Sequence, residues 1–230
     1  MTDELRILSA GAVKPGLTKL IDAFQRESGN RVQVSFATAP AILKQMGDSE
    51  TVDIVIAPAG VLEELVKSGK SAAREAAALG RIGVGVLVRT GESLPDISNV
   101  DGFKQSLLGA ESVVYNQAST GTYLEMLFES LGIGAAVRNK STRYPDFAAV
   151  LDHVSKGRGH EIGLGATTVI IENESCGVKF AGPLPAGIQN YTSYVAALVS
   201  EDSGEAAARQ FMRYLASSAA KTILSDAGIQ

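Results

Sequence analysis

ILSAGAVKPGL, residues 7–17, reads as a buried strand that runs into a turn of small residues and then into a helix starting at Pro15. Ile7 and Leu8 close the strand. Ser9, Ala10, Gly11 and Ala12 carry little side chain to shield their backbone. Proline suits a first helical turn, because the N–H it lacks would have no intrahelical acceptor and its φ is already helical. A helix that starts at the end of a parallel strand points free N–H groups outward, a place suited to an anion or a carboxylate. The same pattern also describes an ordinary strand-to-helix corner of an α/β domain.

From this corner the pattern continues. Leu17, Leu20, Ile21 and Phe24 recur at helical spacing, and Gly29 stops the helix. Residues 31–36, RVQVSF, alternate like a half-buried strand. Thr38, Ala39 and Pro40 open a short helix. Residues 53–57, DIVIA, form an apolar strand ending at Pro58, followed by a helix over 61–67. This β-α-β-α-β-α order predicts a parallel sheet with right-handed crossovers. Residues 81–89, RIGVGVLVR, form a long strand. Its Gly83 and Gly85 lie inside the strand and not in a turn leading to a helix, so they are no dinucleotide fingerprint.

The middle of the chain repeats the opening corner. A strand at 112–115 meets the polar turn NQASTG, 116–121, and then a helix begun by Thr122 with Leu124, Leu127, Phe128 and Leu131 on one face. Asp146 is placed to cap a helix. A strand at 162–165 runs into Ala166, Thr167 and Thr168. A second long apolar strand, 191–199, precedes two closing helices, 205–215 and 217–227. The reading is α/β: two lobes, each a mostly parallel sheet flanked by helices, joined by two extended crossings. Lobe 1 is 1–82 with 195–230 and lobe 2 is 83–194, with a ligand cleft expected between them.

Composition removes several classes. Of 230 residues, 45% are hydrophobic and 20% charged, ordinary values for a globular chain. A net charge of −4 gives no basic footprint, so no nucleic-acid partner is expected. Cys176 is the one cysteine, which excludes an internal disulfide. His153 and His160 lack metal-ligand spacing, and neither is placed to activate Cys176, so no metal and no cofactor are expected. No run reaches the roughly 20 apolar residues of a membrane helix. The opening MTDELRILSAG has no basic, apolar and small-residue succession. As written, the expectation is a cytoplasmic protein, or a periplasmic one if a leader was removed, with a transporter partner only if exported.

SAGAVKPGL with AFQRESG, then VQVSFATAPAILKQM, then VDIVIAPAGVLEELVKSG, and later GLG around Gly163 together resemble the type II periplasmic binding protein family. In particular they resemble the molybdate-binding proteins of ABC transporters, over essentially the whole chain. The resemblance implies a two-lobed clamshell whose corners grip a small anion. The serines that those proteins carry at the first two corners fall at Ala12 and Ala39. A small residue of the third corner falls at Pro58, a backbone amide of the fourth at Thr120, and a tyrosine near Ala166. Alanine cannot donate through its side chain. Each donor lost to a desolvated anion costs about 1–3 kcal/mol, which argues against molybdate. Aconitate isomerases resemble the same fold while handling a tricarboxylate.

The expected ligand is therefore a small organic carboxylate. The candidate binding residues are Gly11, Ala12, Val13, Lys14, Thr38, Ala39, Pro58, Ser119, Thr120, Gly121, Thr122, Ala166, Thr167 and Thr168. Lys14 would pair with a carboxylate, or be a solvated lysine at a helix start. The threonines would donate hydroxyls, or merely cap helices. Arg143 would clamp a carboxylate bidentately, or lie on the surface. An isomerase of an unsaturated di- or tricarboxylate is the alternative, by proton abstraction next to a carboxylate. No residue is identified as its base. A molybdate or tungstate binder comes third.

Overall fold

The computed structural model describes residues 4–46, 52–69, 75–199 and 205–230. Met1 to Asp3, the opening of the stretch on which the leader expectation rests, lie outside them. The chain divides into two compact units, Met1–Ile82 with Thr192–Gln230, and Gly83–Tyr191. The second boundary falls after Tyr191, three residues earlier than the sequence placed it.

Unit 1 is built on β1 (Glu4–Ala10), β2 (Arg31–Ala37), β3 (Ile54–Pro58) and β9 (Tyr191–Leu198). β1 pairs in parallel with β2 on one side and β3 on the other, and β9 runs antiparallel to β3. β3 is buried along its whole length, which its run of Ile, Val, Ile and Ala dictates. Asp53 lies just before β3 and is 1% exposed. Its carboxylate accepts from the Arg6 N–H at 2.7 Å and pairs with the Arg6 guanidinium at 3.4 Å, fixing β3 against β1.

Helix α1 (Lys14–Ser28) buries Leu17, Leu20, Ile21 and Phe24, a stripe at 3.6-residue period. It ends at Gly29, whose φ of 72° is a left-handed cap that glycine adopts without steric cost. Phe24 meets Phe211 edge-to-face, centroids 5.0 Å apart, and so joins α1 to α9 (Glu205–Leu215). The short α2 (Ala39–Gln45) and α3 (Ala59–Lys67) follow β2 and β3. Helix α10 (Ser218–Asp226) packs on α1, and Gln230 exchanges both backbone hydrogen bonds with Arg81.

Unit 2 holds the end of β4 (Glu75–Arg89) with β5 (Ser112–Asn116), β6 (Ser141–Tyr144), β7 (Glu161–Ala166) and β8 (Val178–Pro183). β5 pairs in parallel with β6 and β7, while β4 is antiparallel to both β7 and β8. Successive residues of β5 feed opposite faces. Val113 and Tyr115 join the apolar cluster with Phe103, Leu124 and Phe128, while Val114 joins the one with Val150, Val154 and Ile170. The helices are α4 (Val100–Gly109), α5 (Ser119–Ser130), α6 (Gly134–Arg138), α7 (Phe147–Lys156) and α8 (Thr167–Glu172).

Several boundaries correct the sequence reading. β1 continues through Ser9 to Ala10, because Ser9 hides its hydroxyl against the Ala10 carbonyl and is fully buried. A short 3-10 turn, Gly11–Val13, then precedes α1, which starts at Lys14 and not Pro15. Helix α5 starts at Ser119, so residues 119–121 are its first turn and not a polar loop. β6, α6 and β8 were not anticipated. β6 is a four-residue edge strand rich in polar side chains, and its STRY carries no apolar alternation.

Candidate functional site

Parallel pairing places the C-terminal ends of β1, β2 and β3 at one edge of the unit 1 sheet, and those of β5, β6 and β7 at one edge of the unit 2 sheet. Each of these strands feeds a helix. The turn Gly11–Val13 and the helices α2, α3, α5 and α8 all begin without a side-chain cap. None has an acidic residue in its first turn, and neither does α1. The residues at their N-caps, Ala10, Thr38, Pro58, Ala118 and Ala166, explain most of this, since alanine and proline offer no acceptor. Thr38 has one and does not use it on its own helix.

Helix α7 differs. Asp146 precedes it, and its carboxylate accepts from the Ala149 N–H at 2.9 Å. Away from these edges, Asn99 caps α4 and Ser217 caps α10 in the same manner. The N–H groups of a first helical turn have no acceptor within the helix. At the open corners an outside acceptor with negative charge would meet both those donors and the positive end of the helix dipole.

At the first corner Val13 is fully buried, so its side chain is out of reach of solvent. A Cβ added to Gly11 would meet nothing within 4 Å, so space lies beside the turn. Lys14 is exposed, and its Nζ lies 5.7 Å from the centre of the Phe36 ring, a cation–π contact. Among the described residues no carboxylate pairs with Lys14. Thr38 and Ala39 stand half-buried at the second corner. Pro58 is buried at the third and has no N–H of its own.

In unit 2, Ser119 and Thr120 are half-buried at the start of α5, and Gly121 is buried there. A Cβ on Gly121 would come within 1.9 Å of the Asn116 carbonyl oxygen, so only glycine lets the helix start lie this close to the end of β5. Thr122 is exposed, and its N–H already serves the Ala118 carbonyl at 3.1 Å. Ala166 and Thr167 are half-buried at α8, whereas Thr168 is 2% exposed.

Arg143 lies at the end of β6 and pairs with Glu125 of α5 at 2.7 Å. That partner already occupies the guanidinium the sequence offered as a carboxylate clamp. The Tyr144 hydroxyl and His153 Nδ1 share a hydrogen bond of 2.9 Å. His160 lies 3.7 Å from Glu92. Among the described residues no group of three His, Cys, Asp or Glu side chains is arranged to hold a metal. Cys176 is exposed, with its sulfur near the Asn173 side chain.

Sequence reasoning missed Tyr194. It sits on β9 directly opposite Pro58 and is 5% exposed. Burial pushes its phenol well above the ordinary tyrosine range. Its signal in the sequence was slight: one of two tyrosines in a strand otherwise read as a crossing.

Two α/β units, with a chain that leaves the first within β4 and returns to it at the start of β9, have the build of a solute-binding protein. The chain belongs to the bacterial extracellular solute-binding protein family, whose model matches residues 5–230. It is 30% identical over 234 residues to a protein named aconitate isomerase from a Pseudomonas species, covering 98% of this chain and 87% of that one. Its fold is similar to the periplasmic molybdate-binding protein of Azotobacter vinelandii, with TM-score 0.80, 18% identity and 98% of each chain covered. It is also similar to the sulfate-binding protein of Mycobacterium tuberculosis, with TM-score 0.78, 16% identity, and 98% and 85% covered. These two likenesses concern the fold. The resemblance to molybdate-binding proteins read in the sequence therefore holds for the architecture. Among the described residues no helix is long and apolar enough to cross a membrane.

Proposed function

We propose that this protein binds a small organic acid through its carboxylates, at the open corners of its two sheets. The observation that carries the reading is the contrast in helix starts: the turn after β1 and helices α3 and α5 begin with neither cap nor acid, and at the first of these starts Lys14 pairs with no carboxylate among the described residues. Lys14 supplies a full positive charge, and Ser119 and Thr120 add hydroxyl donors to the backbone of α5. The ligand class follows from what the corners lack. Ala12, Ala39 and Ala166 stand where a compact metal oxyanion would need donors on all sides, whereas a carboxylate needs only a few on one side.

The similarity to an aconitate isomerase across 98% of the chain favours a second reading, in which the bound acid is turned over. The reaction would remove a proton from a carbon next to a carboxylate and return it after the double bond has rearranged. Backbone amides and Lys14 would hold the enolate-like charge. On location, the family's description as extracellular favours an exported protein, and with export a transporter partner would follow.

Proton NMR of the purified protein with a pool of small carboxylates, including trans-aconitate, tests both readings. Selective broadening of one compound is the expected result. New vinyl signals that grow with time, and are lost in Lys14→Ala, would establish the isomerase. No change in any carboxylate, together with tight molybdate binding in calorimetry, would overturn both.

A further inference from the structure

We propose that Tyr194 is a ligand-binding residue, its phenolic hydroxyl donating a hydrogen bond to a carboxylate oxygen of the acid held at the start of α3. The inference rests on the binding function proposed above and assigns one more donor to it.

The register of β3 and β9 sets Tyr194 against Pro58, the last residue of β3 and the residue preceding α3. Directly opposed residues of an antiparallel pair project to the same face, with Cβ atoms about 4.5–5.5 Å apart. The Tyr194 side chain therefore leaves the sheet on the same face as that of Pro58, the residue that precedes a nine-residue helix with no side-chain cap and no acid in its first turn. Because Pro58 brings no N–H, this corner has one backbone donor fewer than an ordinary one. A Cβ on Gly60, in the same first turn, would meet nothing within 4 Å.

The hydroxyl itself points to a ligand. A buried tyrosine ordinarily finds a hydrogen-bond partner for its hydroxyl. Tyr123 donates to the Ile188 carbonyl, Tyr144 bonds His153, Tyr214 bonds Glu27, and Tyr115 bonds Ser141. Tyr194, more deeply buried than any of these but Tyr115, has no such partner among the described residues. Burial also keeps the phenol protonated, so it remains a donor throughout the physiological range.

The test is calorimetric titration of wild type and Tyr194→Phe with trans-aconitate and, separately, with molybdate, with Tyr214→Phe as a control. About a tenfold loss of affinity for the acid in Tyr194→Phe, against none in the control, is expected. The unfolding midpoint should be unchanged, since the lost hydroxyl has no partner within the protein. Affinity within twofold of wild type would overturn the assignment while leaving the binding function intact. A wild type that binds neither probe would overturn both. If the variant does not fold, tyrosine labelled with ¹³C at Cζ in the wild type decides instead. Saturation with ligand should shift the Tyr194 resonance, assigned by elimination with the other Tyr→Phe variants, and an unmoved resonance would overturn the assignment.

Discussion

The first turns of α5 and α7 stand one strand apart in the same sheet and are finished in opposite ways. Asp146 closes the start of α7 with its own carboxylate, 2.9 Å from the Ala149 N–H. Ala118 leaves the start of α5 without any side-chain acceptor. A helix that carries its own anion gains stability and has nothing left to offer a ligand, whereas one that lacks it forgoes about 1 kcal/mol and keeps its first-turn donors free of a side-chain acceptor. The difference between a closed helix start and an open one is thus a single side chain at the N-cap.

That contrast can be broken most forcefully at Gly121. Gly121→Val would drive its Cβ into the Asn116 carbonyl, and a loss of about 3 kcal/mol or more in urea unfolding is expected, with binding abolished. Near-wild-type stability would show that α5 does not need its close approach to β5. Ala118→Asp would make α5 resemble α7. Stability should rise by about 1 kcal/mol while affinity for the acid falls on the order of a hundredfold, because the new carboxylate competes for the same donors. Unchanged affinity would remove α5 from the site.

Asp146→Ala is the reciprocal change. It should lower stability by about 1 kcal/mol and leave affinity untouched. A large affinity change would mean that α7 also faces the ligand. The smallest effect is expected at Lys14→Met, a few-fold loss of affinity at low salt that shrinks as ionic strength rises, since the ammonium is exposed. A loss independent of salt would show the lysine desolvated against its ligand.

The sequence made the α/β order legible because its signals are local: the apolar stripe of α1, the stop at Gly29 and the cap at Asp146 each depend on neighbours in the chain. The polar edge strand β6 has no such signal. Its STRY is ordered by pairing with β5, a contact between residues some 28 positions apart, such as Val113 and Ser141. The corners were visible as runs of small residues followed by helices. Which of them remain open was not, since Ala118 and Thr38 look alike in sequence to any residue before a helix. Tyr194 became a candidate only when the register set it against Pro58.

The two units also differ in how the chain supplies them. Gly83–Tyr191 is one unbroken stretch, so every residue of unit 2 has been synthesised before the last third of unit 1 is made. Unit 1 must wait for its second segment: β9 to pair with β3, α10 to cover α1, and Gln230 to close on Arg81. During synthesis the inner unit can fold first, while β1 to β3 remain a half-built sheet with an apolar edge awaiting its partner strand. A cell that must hold this chain unfolded, or protect it from aggregation, would have to act on that N-terminal segment.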